Sequence, residues 1–433
     1  MTKIKNADVL AGTPLRRSAL RIAEAGLRAI DTESVIKKLV HLEGNALSVA
    51  GETFDRNALG RIVVLGAGKC SLAAARALED ILGDNISSGA VLDLRSDPVL
   101  SRIKSFRGTH PLPSEENVRG AAAIVELLNG LTENDLVIFV ISGGGSALLC
   151  LPEGVGCEEE GRIWKFLTHA GATIQEINTV RKHLSLARGG HLAKYAYPAR
   201  AVSLIFSDVP GDDIEFVASG PTMKDTTSVR DAAMVLEKYD ILRTCGIENC
   251  GLVETPKEDK YFERVKNIVA VSNSVALDAM KREAEDAGFA AEICDARMSG
   301  EAREVGEKII GKLHGAAGKT ALLYGGETTV KIAHHDRGHG HGGRSLELAI
   351  SALRFVENGE LILPFASDGR DNGEFAGAIC DTITKSRVGE MDIDIDANLD
   401  QHDGYQLFEK VGNYLMTDDT GSNVSDLVIA LKE

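Results

Sequence analysis

The sequence predicts an α/β protein of two domains. Three observations carry this: short apolar runs alternate with helix-period segments, Gly-rich turns follow several of those runs, and a polar stretch past mid-chain interrupts the alternation. The first domain, expected over residues 1–245, reads as a Rossmann-like, mostly parallel sheet with helices on both faces, and the second, over 246–433, as a further α/β unit. Length agrees, because single cores stop growing at roughly 250 to 300 residues and the chain has 433.

After an amphipathic N-terminal helical region, Ile62 to Leu65 reads as a buried strand, Gly66 to Cys70 as a turn, and Ser71 to Leu82 as a helix rich in Ala and Leu. Further strands are expected at Ala90 to Leu94, Leu136 to Ile141 and Val202 to Phe206, separated by helical segments such as Asn117 to Asn129 and Ile174 to Leu186. The polar segment Cys245 to Lys266, with Pro256, marks the boundary. Beyond it, strands are expected near Ile268 to Val271, Ala290 to Cys294, Thr320 to Tyr324, Leu361 to Phe365 and Leu427 to Leu431. Helices are expected at about Ser274 to Ala287, Glu301 to His314 and Arg344 to Val356.

Composition narrows the function classes. A formal charge of −16 without a basic stripe argues against a nucleic-acid partner, whereas a few local cations suffice for a small anionic substrate. No apolar run approaches the roughly 20 residues of a membrane span. The first 26 residues carry charges where a signal peptide's apolar core would lie, so a cytoplasmic protein with no membrane contact is expected. Seven cysteines with no C-x-x-C pair point to reduced, mostly buried thiols rather than a disulfide framework or structural zinc.

Several motifs can carry chemistry. Gly66-Ala67-Gly68-Lys69 follows a strand and opens a helix, where free N–H groups favour an anion, although it completes neither the dinucleotide fingerprint nor the Walker loop. Asp93 stands about 25 residues on, where a ribose-binding acid would fall. Ser142-Gly143-Gly144-Gly145-Ser146 follows the most apolar strand, and three glycines let backbone N–H groups approach a phosphate. Asp208 to Asp213 follows another strand; Asp208 and Asp212 suit Mg²⁺ binding or proton abstraction, and the same residues suit a β-turn. Arg181, Lys182 and His183 form a cationic cluster, of which at most two face one way on a helix. In the second half, Gly326 and Glu327 follow a strand, Gly338 to Gly343 lead to Arg344, and Asp368 lies in a loop after a strand. His334, His335, His339 and His341 lack an acidic or thiol partner at zinc-site spacing, which favours Arg344 as the ligand-gripping group.

Together these motifs resemble the glycerate 2-kinases whose C-terminal half is the MOFRL domain. The specific matches are GAGK at Gly66 to Lys69, SGGGSAL at Ser142 to Leu148, N-x-V-R-K-H-L-S at Asn178 to Ser185, SDVPGD with ASGPT at Ser207 to Thr222, and GGET at Gly325 to Thr328. The resemblance implies ATP-dependent phosphorylation of D-glycerate to 2-phosphoglycerate with Mg²⁺, in a cleft between the two domains, the second being of MOFRL type. It places the family's functional lysine, aspartate and arginine on Lys69, Asp208 and Arg344. The implied partners are small molecules only, D-glycerate and ATP, with the protein a monomer or homodimer. The chain departs from the family at Gly343-Arg344-Ser345-Leu346-Glu347, at Ser367 to Asn372 and at His402-Asp403-Gly404.

Phosphoryl transfer needs placement and charge stabilisation more than covalent chemistry. The expected roles are therefore Ser142 to Ser146 as a phosphate cradle, Lys69 as the neutralising cation, Arg344 as the grip on carboxylate or γ-phosphate, and Asp208 as orienter or base for the hydroxyl. Two rivals remain at this level: an NAD(P)H-dependent hydroxypyruvate reductase using Gly66, Gly68 and Asp93, and a non-catalytic phosphometabolite-binding protein.

Overall fold

The computed structural model describes residues 2–97, 100–153, 156–209, 213–247, 250–332 and 340–433. The chain divides into two compact units, one of residues 32–270 and one that joins residues 1–31 to 271–433.

The 32–270 unit begins with an antiparallel meander of β1 (Val40–Glu43), β2 (Ala46–Val49) and β3 (Glu52–Asp55). Its main sheet uses β4 (Ile62–Ala67), β5 (Ser88–Asp93), β6 (Ile103–Arg107), β7 (Leu136–Ser142), β8 (Arg200–Phe206) and β9 (Val265–Val271), in the order β6-β5-β4-β7-β8-β9. All pairings from β6 across to β8 are parallel. Leu136 to Phe139 are fully buried, so β7 is covered on both faces, the normal state of a parallel strand flanked by helices. Val63, Leu65, Phe139 and Ile141 share a core with Ala121 and Ile124 of the helix Glu115–Leu127. Each of the Val, Leu, Ile and Phe side chains contributes about 1.5 to 3 kcal/mol by leaving water.

Topology then decides where a ligand fits. From β4 the chain runs outward through β5 and β6, then returns to β7 on the other side, making the β4/β7 junction a switch point. Loops leaving two such strands diverge and open a crevice at the carboxyl edge. The register Ala67↔Ile141 and Ser142↔Phe206 starts the loops carrying Lys69, Gly143 and Asp208 at the same level of that edge.

The other unit is built on a mixed sheet of β10 (Ala290–Glu301), β11 (Thr320–Thr329), β12 (Glu360–Ala366), β13 (Gly377–Ala378), β14 (Cys380–Asp381), β15 (Tyr414–Leu415) and β16 (Asp426–Lys432). The order is β10-β11-β16-β12-β13-β15, with β14 also paired to β12. β10 and β11 are parallel, whereas β16 inserts antiparallel between β11 and β12.

Two features differ from the sequence expectation. The strand near Ile268 to Val271, expected to open the second domain, closes the edge of the first sheet as β9, so the division falls after Ala270 rather than at 245. The N-terminal helix Pro14–Ala29, capped by Thr13 accepting from the Arg16 N–H, belongs with the C-terminal unit. Its buried Arg16 explains this: Nε and Nη2 donate to the two Asp381 oxygens at 2.7 Å each, and Nη1 donates to Asn413 at 3.0 Å. All seven cysteines are free and all but Cys294 are buried.

Removing one partner of a buried ion pair leaves the other charge stranded. Asp381→Ala is expected to cost about 3 to 5 kcal/mol in denaturant unfolding, and a loss below about 1 kcal/mol, the value of a surface pair, would contradict this role for Arg16.

Candidate active site

Glycine at 143 and 144 lets two side chains of opposite charge lie directly over the loop that follows β7. A Cβ built on Gly143 would fall 1.9 Å from Oδ2 of Asp208, inside the carboxylate itself. Gly144 has a φ of +81°, and a Cβ there would meet Lys69 Cγ at 3.2 Å and His110 Cδ2 at 3.4 Å. The loop is tied to the Gly66–Lys69 turn by two hydrogen bonds: Lys69 N–H donates to the Gly143 carbonyl at 3.0 Å, and Cys70 N–H to Ser142 Oγ at 3.3 Å. Gly68 packs so closely on Ser142 that a side chain there would overlap its hydroxyl, while Gly66 seats β4 against Ser71 and Val91. Gly145 faces Ala218.

Ser146 Oγ lies 2.9 Å from Ser219 Oγ, and Ser219 donates to Asn178 Oδ1 at 2.8 Å. Ser219 stands in a left-handed run with Ala218 and Gly220, at φ +58°, +52° and +57°. Left-handed backbone at a non-glycine residue costs about 1 to 2 kcal/mol. The conformation is held by Gly189 N–H to Ser219 O at 2.9 Å and Gly190 N–H to Gly220 O at 2.8 Å.

The cationic cluster splits as helix geometry requires. Lys182 turns inward to Asp225 at 3.2 Å and Glu215 at 3.5 Å, so its charge is already compensated. His183 Nδ1 lies 2.8 Å from the Thr179 carbonyl. Arg181, three residues after Asn178 on the helix Ile174–His183, stacks on Trp164 at 5.5 Å. No hydrogen bond or ion pair to its guanidinium is found among the described residues, and its Nε is shut off from solvent. Burial first, and then the Arg188 charge, lower its pKa to about 10, which leaves it charged at neutral pH.

Asp93 does not face this group as a free acceptor. Its Oδ2 takes the Leu72 N–H at 3.0 Å and its Oδ1 the Leu94 and Arg95 N–H groups at 2.6 and 3.3 Å, so both oxygens are committed to the backbone. Asp212 lies outside the described residues, as do His334, His335 and His339. His341 stacks against Tyr405 at 4.4 Å.

In the 271–433 unit, Arg344 opens the helix Arg344–Leu353. It pairs through Nε with Asp426 and through Nη1 with Glu327 at 2.5 Å. Arg344, Asp368, Asp371, Asn423 and Asp426 line a depression of about 240 Å³. Gly326 sits where β11 presses on Met298 of β10, so its missing side chain serves strand pairing. Asp371 accepts the Ser345 and Leu346 N–H groups at 3.1 and 2.7 Å. Burial, and then the nearby Asp426, push Asp371 up to about 7, and burial raises Asp426 to about 6. Asp371 falls in the loop Ser367 to Asn372 that the sequence marks without singling it out, and Asp426 escaped the sequence reading because it looked like an ordinary strand-end residue. His110 escaped it too, although its place after β6 was a signal, since every loop after a parallel strand opens on the same edge.

The family models divide the chain differently from the two compact units, since the first takes in residues 18–31 and ends at 247. The model described as "Domain of unknown function (DUF4147)" matches residues 18–247, and that of the MOFRL family matches residues 320–426. The chain is 37% identical to a protein named glycerate 2-kinase from Pyrococcus horikoshii, over 96% of this chain and 97% of that one. It is 37% identical to a putative hydroxypyruvate reductase from Agrobacterium vitis, over 85% and 86% of the two chains. The crystal structure of glycerate kinase from Thermotoga maritima superposes with a TM-score of 0.85 at 34% identity, covering 97% of this chain and 99% of that one.

Two outcomes follow from the site's physics. Asp371 and Asp426 hold protons in the folded state that an unfolded chain releases near pH 4, so stability falls as pH rises from roughly 4 to 7; Asp371→Asn makes that decline shallower in urea unfolding, and an unchanged slope contradicts the assignment. Ser219→Gly, which relieves the left-handed strain, is expected to be about 1 kcal/mol more stable than Ser219→Ala, and equal stability would show that the strain is absent.

Proposed function

The chain belongs to the family of MOFRL-type glycerate 2-kinases, and from that premise we propose that it transfers the γ-phosphoryl group of ATP to the 2-hydroxyl of D-glycerate, giving 2-phosphoglycerate and ADP. The observation that carries the reading is the placement of Lys69 and Asp208 over consecutive glycines of one loop at the sheet's switch point. A cation there offsets the charge that spreads over the equatorial phosphoryl oxygens, and backbone N–H groups of the glycine loop add fixed dipoles that need no reorganisation.

Asp208 supplies the second half of the chemistry. The glycerate hydroxyl oxygen forms a bond to the γ-phosphorus while the bond to the ADP oxygen breaks, and Asp208 orients that hydroxyl and takes its proton. Mg²⁺ enters as part of the nucleotide substrate and supplies positive charge to the phosphate oxygens. Asp208 is the described carboxylate at the loop that would hold it. His314, Glu357 and Glu360, whose ligand atoms lie within 4.8 Å of one another, do not fit this part: Glu360 begins β12, at the end away from Ser367 and Asp368, and the Lys432 ammonium lies 3.7 Å from it.

The hydride-transfer alternative gains nothing from Asp93, whose oxygens already serve three backbone donors. Phosphorus NMR of the products from ATP and D-glycerate tests the proposal directly, with a 2-phosphoglycerate resonance expected. NADH-dependent reduction of hydroxypyruvate in place of phosphoryl transfer would overturn it. Lys69→Ala and Asp208→Asn are each expected to lower kcat by roughly 10²-fold or more in folded protein, and wild-type rates in both would remove these residues from the mechanism.

A further inference from the structure

His110 belongs to no motif that suggested function, yet it stands beside the loop after β7. Its ring edge and the Lys69 side chain flank the same point, the absent Cβ of Gly144, at 3.4 and 3.2 Å. Nearby, the guanidinium of half-buried Arg181 has no hydrogen bond or ion pair among the described residues, although the charge of Glu160 acts on it. The Lys69 ammonium likewise has no hydrogen bond or ion pair among them. Two half-buried cations that both act on His110 suit an anion that completes the set on binding. By contrast Lys182, one residue along the same helix, has its carboxylates in place.

We propose that His110 is a binding residue, donating its ring N–H to the oxyanion that Lys69 and Arg181 hold, either the carboxylate of the hydroxy acid or a phosphate of the nucleotide. This deepens the kinase reading and rests on it for the identity of the two substrates. The imidazole suits the task because it carries no charge of its own at neutral pH. Burial, and then the charges of Lys69 and Arg181, lower its pKa to about 4. A neutral ring presents one N–H and one lone pair, so it adds direction and discrimination to a site already rich in charge.

Four variants and one spectrum decide the matter. His110→Phe keeps the ring volume without a donor, His110→Ala removes both, and His110→Asn and His110→Gln restore a side-chain N–H at two reaches. Hydrogen bonds to charged groups predict a loss of about 10- to 100-fold in kcat/KM for Phe and Ala, with at least one amide recovering most of it and thermal unfolding unchanged. A rise confined to the KM for D-glycerate assigns the carboxylate, and one confined to the KM for ATP assigns the phosphate. In protein with labelled histidine, the His110 resonance, identified by its absence from His110→Gln, is expected to shift on adding D-glycerate or ADP, each titrated alone. Wild-type constants in His110→Phe together with an unmoved resonance would overturn the inference, as would equal losses in all four variants. Absence of phosphoryl transfer in the wild-type protein would instead refute the kinase reading, and the resonance would then decide the His110 inference by itself.

Discussion

The Asp208 carboxylate occupies the volume that any side chain at position 143 would need. Much of the site follows from that exclusion. With no side chain between them, a carboxylate and a loop backbone come into contact, and the carboxylate is delivered from the next strand of a parallel sheet. The sheet supplies the means: β7 and β8 are parallel neighbours in register to Ser142↔Phe206, so the loops that leave them start side by side. β4 lies on the other side of β7, and its turn is stitched to the same loop through Lys69 and Cys70. A cation and an anion thus reach one stretch of backbone without either being tied to the other by a long flexible segment.

Stability is given up around this point in ways the rest of the unit has to offset. Ala218 and Ser219 adopt left-handed backbone, and Arg181 holds its Nε shut off from solvent without a hydrogen-bond partner. The apolar core beneath, with Phe139 and Leu65 fully enclosed, provides the opposing term. Strain and an unpartnered donor concentrated over a well-packed sheet are what pre-organisation of a polar site demands, because groups fixed in advance do not reorganise when charge moves. The 271–433 unit treats charge differently: Arg344 is engaged by Asp426 and Glu327, and Asp371 is spent on the first N–H groups of a helix.

Local pattern made the parallel sheet legible, since β4, β7 and β8 are apolar runs followed at once by glycine or aspartate. It made Lys69, the triple glycine and Asp208 legible for the same reason, because a loop after a parallel strand has a known direction. What it missed depends on distant contacts. The N-terminal helix joins the C-terminal unit through an Arg16–Asp381 pair 365 residues apart, which no local window contains. Val265–Val271 reads like any other apolar run, and only pairing shows which sheet it closes. Lys182 and Arg181 are adjacent cations in the sequence, and only the position of Asp225 shows which of them is tied into a structural ion pair.

The central claim is that bare backbone at position 143 is required so that Asp208 can lie against the loop that holds the phosphate. Gly143→Ala places a methyl group where the carboxylate sits while leaving every charge in the molecule intact. Calorimetric binding of ATP and steady-state turnover on this variant, checked for unchanged thermal unfolding, test the claim most directly. Loss of turnover by roughly 10²-fold or more in a folded protein is the predicted result, and an alanine variant that binds and turns over like the wild type would contradict it.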